Sequence, residues 1–244
     1  MLRHALSLLV LACAVMAASA QDYAREKRVE AEIVPGLMVG DAVKLRTAGG
    51  REFLGILAKA EKPKAAIVLV HGRNVHPDHE LVGALRMKLH ELGYTTLAIQ
   101  MPILAAETPH EDPAYRGLFP EAGERIAAAG AFLRASGEKR LVLVSHSLGA
   151  AMADIYFANH ADSQFSAWVS LGITSGYGAG AKNASRPLLD IQGDADFPEV
   201  LKAAPARRGV ATRQVVIANA NHMYTGREGE VATVIAAWLA EVAR

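Results

Sequence analysis

From Ala65 onward, short uninterrupted apolar runs alternate with longer helical stretches, and this alternation limits what the chain can fold into. Ala66-Ile67-Val68-Leu69-Val70 has no polar interruption, as a strand covered on both faces requires. Pro77-Asp78 opens a helical stretch that runs to Glu91, with Leu81, Leu85 and Leu89 on one face, and Gly93 stops it. Strands are expected over Tyr94–Ile99, Arg140–Val144, Phe165–Leu171, Pro187–Gln192 and Arg213–Ala218. Helices are expected over Pro120–Ser136, Leu148–Asn159, Phe197–Arg207 (despite Pro205) and Glu228–Val242. Strands separated by helices need crossover connections, which make a mostly parallel sheet flanked by helices. Ahead of this region, Val29–Val34, Ala42–Thr47 and Arg51–Ala60 read as extended, with turn chemistry at Ala48-Gly49-Gly50. These pieces suit an antiparallel edge, and the charged stretch Gln21–Arg28 reads as a loose lead-in. The organisation expected is therefore a leader over 1–20, a lead-in with edge strands over 21–64, and an α/β core over 65–244 in the same single domain.

Composition narrows the function classes. Apolar residues make up 51% and charged residues 21%, which is globular and excludes a disordered chain. Lys and Arg number 26 against 25 Asp and Glu, so no strong field draws the chain to nucleic acid or an anionic membrane. The single cysteine, Cys13, excludes a disulfide framework and a cysteine-based zinc site.

The first twenty residues, MLRHALSLLVLACAVMAASA, have the layout of a secretory signal. Arg3 gives a positive start, Leu6–Met16 an apolar stretch, and Ala18-Ser19-Ala20 the small residues of a cleavage site. The uncharged run Ala5–Ala20 is shorter than the roughly 20 residues of a membrane span, so no stable anchor is expected after cleavage. Cleavage after Ala20 removes Arg3 and Cys13, takes the formal charge from +1 to zero, and leaves a cysteine-free chain suited to an oxidising compartment. A periplasmic or secreted protein is expected.

The chemistry concentrates after the strand Arg140–Val144. Leu141-Val142-Leu143-Val144 runs into Ser145-His146-Ser147-Leu148-Gly149 and then a helix, which places Ser147 at the apex of a sharp strand-to-helix turn. Such a turn needs small residues two places to either side, and Ser145 and Gly149 supply them, although glycine is usual at the first place. A serine hydroxyl is a poor nucleophile unless a base takes its proton. His222 lies beyond the strand Arg213–Ala218, at the carboxyl end where sites form on parallel sheets. His146, beside the nucleophile on a tight turn, is expected to point elsewhere.

A carboxylate must orient that histidine. Either aspartate of Gly193-Asp194-Ala195-Asp196 could serve; Asp196 is preferred because the chain has cleared the strand end there, while Asp194 suits a turn. Asp190 lies inside the strand and is unsuited. An oxyanion developing on the substrate needs backbone N–H donors. Leu148, just after the nucleophile, and Arg73, in the loop after Ala66–Val70, are the candidates.

The segments LVHGR (Leu69–Arg73), SHSLG (Ser145–Gly149), GDAD (Gly193–Asp196) and Asn221-His222, in this chain order, resemble the α/β-hydrolase family over about Ala65–Arg244. More narrowly, HGRNVHPDHELVGALR and LGYTTLAIQMP are similar to an exported bacterial branch of that family. The resemblance implies a Ser147, His222, Asp196 triad and hydrolysis of a small-molecule ester, amide or thioester without a cofactor.

Other features are assigned more modestly. His76-Pro77-Asp78-His79-Glu80 offers two histidines near carboxylates but no third ligand, so a capped helix start is expected rather than a metal site. The polar loop Glu107–Phe119 is expected at the pocket rim, with Tyr115 and Phe119 touching substrate. Gly172–Arg186 is too short for a helical cap. Two other functions share this sequence pattern: a catalytically silent binding protein of the cell envelope, and an acyltransferase using the same triad.

Overall fold

The structure, a computed structural model, describes residues 21–182 and 186–242. The leader expected over 1–20 lies outside the described residues. Eight strands form one sheet: β1 (Asp41–Arg46), β2 (Glu52–Ala58), β3 (Ala66–Val70), β4 (Thr95–Ile99), β5 (Leu141–His146), β6 (Phe165–Leu171), β7 (Leu188–Gly193) and β8 (Arg213–Ile217). Their spatial order is β1-β2-β4-β3-β5-β6-β7-β8. β3 to β8 are mutually parallel, while β1 pairs antiparallel with β2 and β2 antiparallel with β4. The strand register across β2 and β4 joins the edge region to the core in one sheet.

Seven helices accompany the sheet among the described residues: α1 (Tyr23–Ile33), α2 (Glu80–Glu91), α3 (Phe119–Ala135), α4 (Leu148–Asn159), α5 (Ala179–Lys182), α6 (Pro198–Arg208) and α7 (Glu228–Glu241). The central strands β3, β4 and β5 are buried along their whole length because helices cover both faces. On one face Val68, Leu143 and Trp168 pack with Ile126 and Leu133 of α3 and Met152 and Phe157 of α4. On the other, Ile67, Leu69 and Val142 pack with Leu81, Leu85 and Leu89 of α2 and Val231, Ile235 and Trp238 of α7. Among the described residues, the 172–186 connection holds only the four-residue α5, and no separate cap domain is present.

One expectation is corrected. Val29–Val34 is not extended and Gln21–Arg28 is not loose: Tyr23–Ile33 forms α1, with Asp22 as its N-cap, and Val34 opens a tight 3-10 turn, Val34–Gly36. Asp22 caps the helix by accepting from the Arg25 N–H at 2.8 Å. The buried Glu26 pairs at 3.0 Å with Arg125 of α3, itself fully buried. Burial is the main cause raising the Glu26 carboxyl above its ordinary range, and the guanidinium opposes it. Other contacts also tie α1 to the domain: the Tyr23 hydroxyl donates to Glu121 at 2.6 Å, the Asp22 N–H donates to the Ile103 carbonyl at 2.8 Å, and Ile33 packs against the core.

Candidate active site

Ser147 sits between β5 and α4 with φ 55° and ψ −122°, a conformation rarely adopted by a residue with a side chain. The turn closes only because its neighbours fit. A Cβ on Gly149 would come within 2.3 Å of the His71 carbonyl oxygen, so no larger residue can stand there. Ser145 replaces the usual glycine because its hydroxyl is satisfied in the core: it accepts from the Trp168 indole at 2.8 Å and donates to the Val169 carbonyl at 3.3 Å.

The loop after β8 brings His222 to this turn. Its Nε2 lies 3.0 Å from the Ser147 hydroxyl, and its Nδ1 lies 2.6 Å from Oδ1 of Asp196. Asp196 is buried and also accepts from the Phe197 N–H at 2.7 Å, while its Oδ2 has no hydrogen-bond partner among the described residues. Asp194 is exposed; its backbone N–H donates to Ile217, as a turn residue does. Asp190 is fully buried inside β7 and pairs with Arg207 at 3.0 Å, away from His222. Of the carboxylates near the end of β7, Asp196 is therefore the one that meets the histidine.

Three neighbours shape the site that sequence alone did not reveal. His146, buried beside the turn, lies with Nε2 2.9 Å from the His222 carbonyl oxygen. Burial, with His222 adding to it, pushes the His146 imidazole down to about 3, so the ring is neutral and donates through Nε2–H. Phe197 stacks on the His222 ring at 4.2 Å and 24°, yet leaves 52% of its surface exposed. Gly172, with φ 56°, lies where a Cβ would stand 3.1 Å from both Cε1 and Nδ1 of His222. An exposed aromatic after an aspartate and a glycine after a strand are common, and only the tertiary contact distinguishes these two.

The loop after β3 lies against the other side of Ser147, where a Cβ on Gly72 would stand 3.2 Å from the serine Cβ. The backbone N–H groups of Arg73 and Leu148 have no acceptor among the described residues. That of Leu148 opens α4, where helix geometry supplies none.

Tyr115 and Phe119 are placed otherwise than expected. The loop before α3 contains a 3-10 segment, Pro113–Leu118, capped by Asp112, which turns Tyr115 into the core. The Tyr115 ring meets the guanidinium of Arg73 at 5.1 Å, and its hydroxyl lies 3.4 Å from the Thr108 carbonyl. Phe119 begins α3 and lines a groove of about 710 Å³ between α3 and α4, to which Ser147, His222 and Asp196 contribute nothing. Among the described residues no group of three His, Cys, Asp or Glu could hold a metal ion, and no helix is long and apolar enough to cross a membrane.

A family model described as "Protein of unknown function (DUF3530)" matches residues 2–122. No curated protein matches the chain significantly. Among solved structures, a dienelactone hydrolase from Anabaena variabilis superposes with a TM-score of 0.67 at 20% identity, covering 82% of this chain and 96% of that one. An alpha-beta serine hydrolase homologue from Coxiella burnetii gives 0.63 at 18% identity, with 82% and 97% covered. An esterase domain from a Rhodothermus marinus protein gives 0.62 at 16% identity, with 81% and 96% covered. The fold is that of the α/β hydrolases.

Proposed function

We propose that the protein is an exported serine hydrolase that cleaves a small or medium ester, amide or thioester through an acyl-enzyme on Ser147. The observation that carries this reading is the continuous chain from the Ser147 hydroxyl through His222 to Asp196, at 3.0 and 2.6 Å, on a strained strand-to-helix turn. Other hydrolases and esterases share the fold, which fits the reading.

The proposed chemistry follows from these contacts. The His222 Nε2 takes the hydroxyl proton as Ser147 Oγ attacks the substrate carbonyl carbon. The proton on Nδ1 remains hydrogen-bonded to Asp196, which keeps the ring in the useful tautomer and stabilises the imidazolium. Negative charge gathers on the former carbonyl oxygen, where the Leu148 and Arg73 N–H groups meet it, each worth about 3 kcal/mol in the transition state. Collapse expels the alcohol, amine or thiol, protonated by His222. Water then repeats the sequence, releasing the acid and restoring Ser147.

Labelling with a fluorophosphonate tests the assignment. The probe should attach to Ser147 in the natural protein and to nothing in Ser147→Ala, and ester turnover should fall by about 10⁶ in the variant. A folded protein that takes no label and cleaves no ester favours the silent binding protein; label on Ser145 moves the nucleophile by two residues. Export is tested separately: envelope protein should begin at Gln21, and an intact Met1 on a cytoplasmic species overturns it.

A further inference from the structure

Helix α1 lies outside the alternating core, yet one of its side chains reaches the loop beside Ser147. The Arg25 guanidinium donates to the Asn74 carbonyl oxygen at 2.9 Å and to the Leu104 carbonyl oxygen at 2.7 Å. It thus bridges the loop after β3 to the segment after β4. Asn74 repeats the bridge with its own side chain: Oδ1 accepts from the Leu104 N–H at 2.9 Å, and Nδ2 donates to the Ala105 carbonyl at 3.1 Å. Asn74 is itself in the left-handed region at φ 55°, which asparagine accepts more readily than most residues with a side chain, and there its carbonyl meets Arg25 while its side chain meets the segment after β4.

The helix that carries Arg25 is anchored independently at the same end of the sheet. The Asp22 N–H donates to the Ile103 carbonyl at 2.8 Å. Arg125 joins Glu26 at 3.0 Å to the Gln100 carbonyl at 2.9 Å. No acidic side chain lies within ion-pair distance of Arg25 among the described residues, so its two forks are spent on loop carbonyls. Between this clamp and Gly72, which abuts Ser147, stands a single residue, Arg73.

We propose that Arg25 is a positioning residue that fixes the loop 72–74 and thereby aims the Arg73 N–H at the substrate oxyanion. This rests on the serine-hydrolase reading of Ser147. Loss of the clamp lets the donor drift, and displacement by about an ångström can cost up to 100-fold in turnover. The effect belongs to the transition state, because the ground-state carbonyl needs that donor less.

The test compares the natural protein with Arg25→Met, Arg25→Lys and, as a control, Lys27→Met at an exposed position of the same helix. Active sites are counted by fluorophosphonate titration, so that kcat is per competent molecule. Arg25→Met should lower kcat by about 10- to 100-fold with KM little changed. Its affinity for a boronic acid, whose tetrahedral serine adduct places an oxygen at the oxyanion position, should weaken by a similar factor. Arg25→Lys keeps a cation able to reach a carbonyl and should recover part of both losses, and Lys27→Met should match the natural protein. A merely structural arginine would lower Tm and leave kcat per titrated site unchanged, which overturns the proposal. A fall in kcat without weaker boronate binding also overturns it. If the natural protein neither labels nor turns over ester, the serine-hydrolase reading itself fails; if it does both and Arg25→Met keeps its kcat, only the clamp fails.

Discussion

The imidazole of His146 donates from Nε2 to the backbone carbonyl of His222 across 2.9 Å, and the two rings stand 4.8 Å apart. The residue before Ser147 thus holds the loop that carries its hydrogen-bond partner. A second buried histidine, His71, does similar work on the other side of the turn, accepting from the Met101 N–H at 2.8 Å. The His71 bond needs a neutral ring, because its Nε2 accepts, whereas the His146 bond is donated and does not itself depend on charge. Burial is the main cause that lowers each imidazole to about 3.

The sign of the pH dependence follows. In the unfolded chain each histidine binds a proton below about 6.5, whereas in the fold it stays neutral down to about 3. Their contribution is complete above the unfolded value and is lost as pH falls through the window between the two. From pH 7 to pH 5 the loss should be on the order of 2 kcal/mol for each histidine. Glu26, raised by burial, works in the opposite direction at the acid end. Urea unfolding at the two pH values checks this, and His146→Gln should shed about half of the difference. A stability that does not fall between pH 7 and pH 5 contradicts the assignment.

Asp196 and Asp194 are two residues apart but differ in what they touch. Only Asp196 is buried against Nδ1 of His222, at 2.6 Å. Asp196→Asn should leave His222 in the wrong tautomer and lower kcat by about 10⁴. Asp194→Asn, at an exposed turn, should change kcat little. Steady-state kinetics on one soluble ester decides it, and the reverse ranking moves the orienting role to Asp194.

The central parallel strands were legible because burial on both faces demands a run of apolar residues, as in Ala66–Val70; this strand, the strand Phe165–Leu171 and the helix Leu148–Asn159 coincide residue for residue with the elements found. Ser147, His222 and Asp196 were legible as a chain order around strand ends, and the structure brings the three together. What was not legible depends on partners distant in sequence. The β-branched residues of Val29–Val34 favour strands locally, yet the segment is helical, and one contact of that helix is the Glu26–Arg125 ion pair, which spans 99 positions that local reading cannot see. Tyr115 reads as a rim aromatic, yet the 3-10 turn after Asp112 directs it inward. Gly172 carries no local sign that its missing Cβ makes room for His222.

Behind Asp196, a buried network ties α6 to the sheet. Arg207 and Asp190, both fully buried, meet at 3.0 Å; Tyr177 and Gln214 add hydrogen bonds to the carboxylate at 2.8 and 2.7 Å. Burying an ion pair adds little by itself, but removing one partner leaves the other charged and unsolvated. Asp190→Asn should therefore destabilise the fold by about 3–5 kcal/mol. Breaking the exposed Arg46–Glu52 pair should scarcely register. Chemical denaturation of both variants tests the contrast, and equal midpoints would refute it.

Gly172 separates fold stability from site geometry. Its φ of 56° costs a residue with a side chain about 1–2 kcal/mol. A Cβ there would also stand 3.1 Å from Cε1 and Nδ1 of His222 and 3.2 Å from Oδ2 of Asp196. These distances are short of ordinary van der Waals contact, and the imidazole is the group free to give way. It cannot retreat far, because Phe197 stacks on the ring at 4.2 Å and the His222 carbonyl is held by His146. Tilting the ring lengthens the contact to the Ser147 hydroxyl, now 3.0 Å, and kcat should fall by about tenfold or more. Gly176→Ala is the matched control, since a Cβ there meets nothing within 4 Å. Gly172→Ala should therefore lower both Tm and kcat per titrated site, whereas Gly176→Ala should lower neither. If Gly172→Ala keeps the natural kcat while losing stability, the contact with His222 has no bearing on proton transfer.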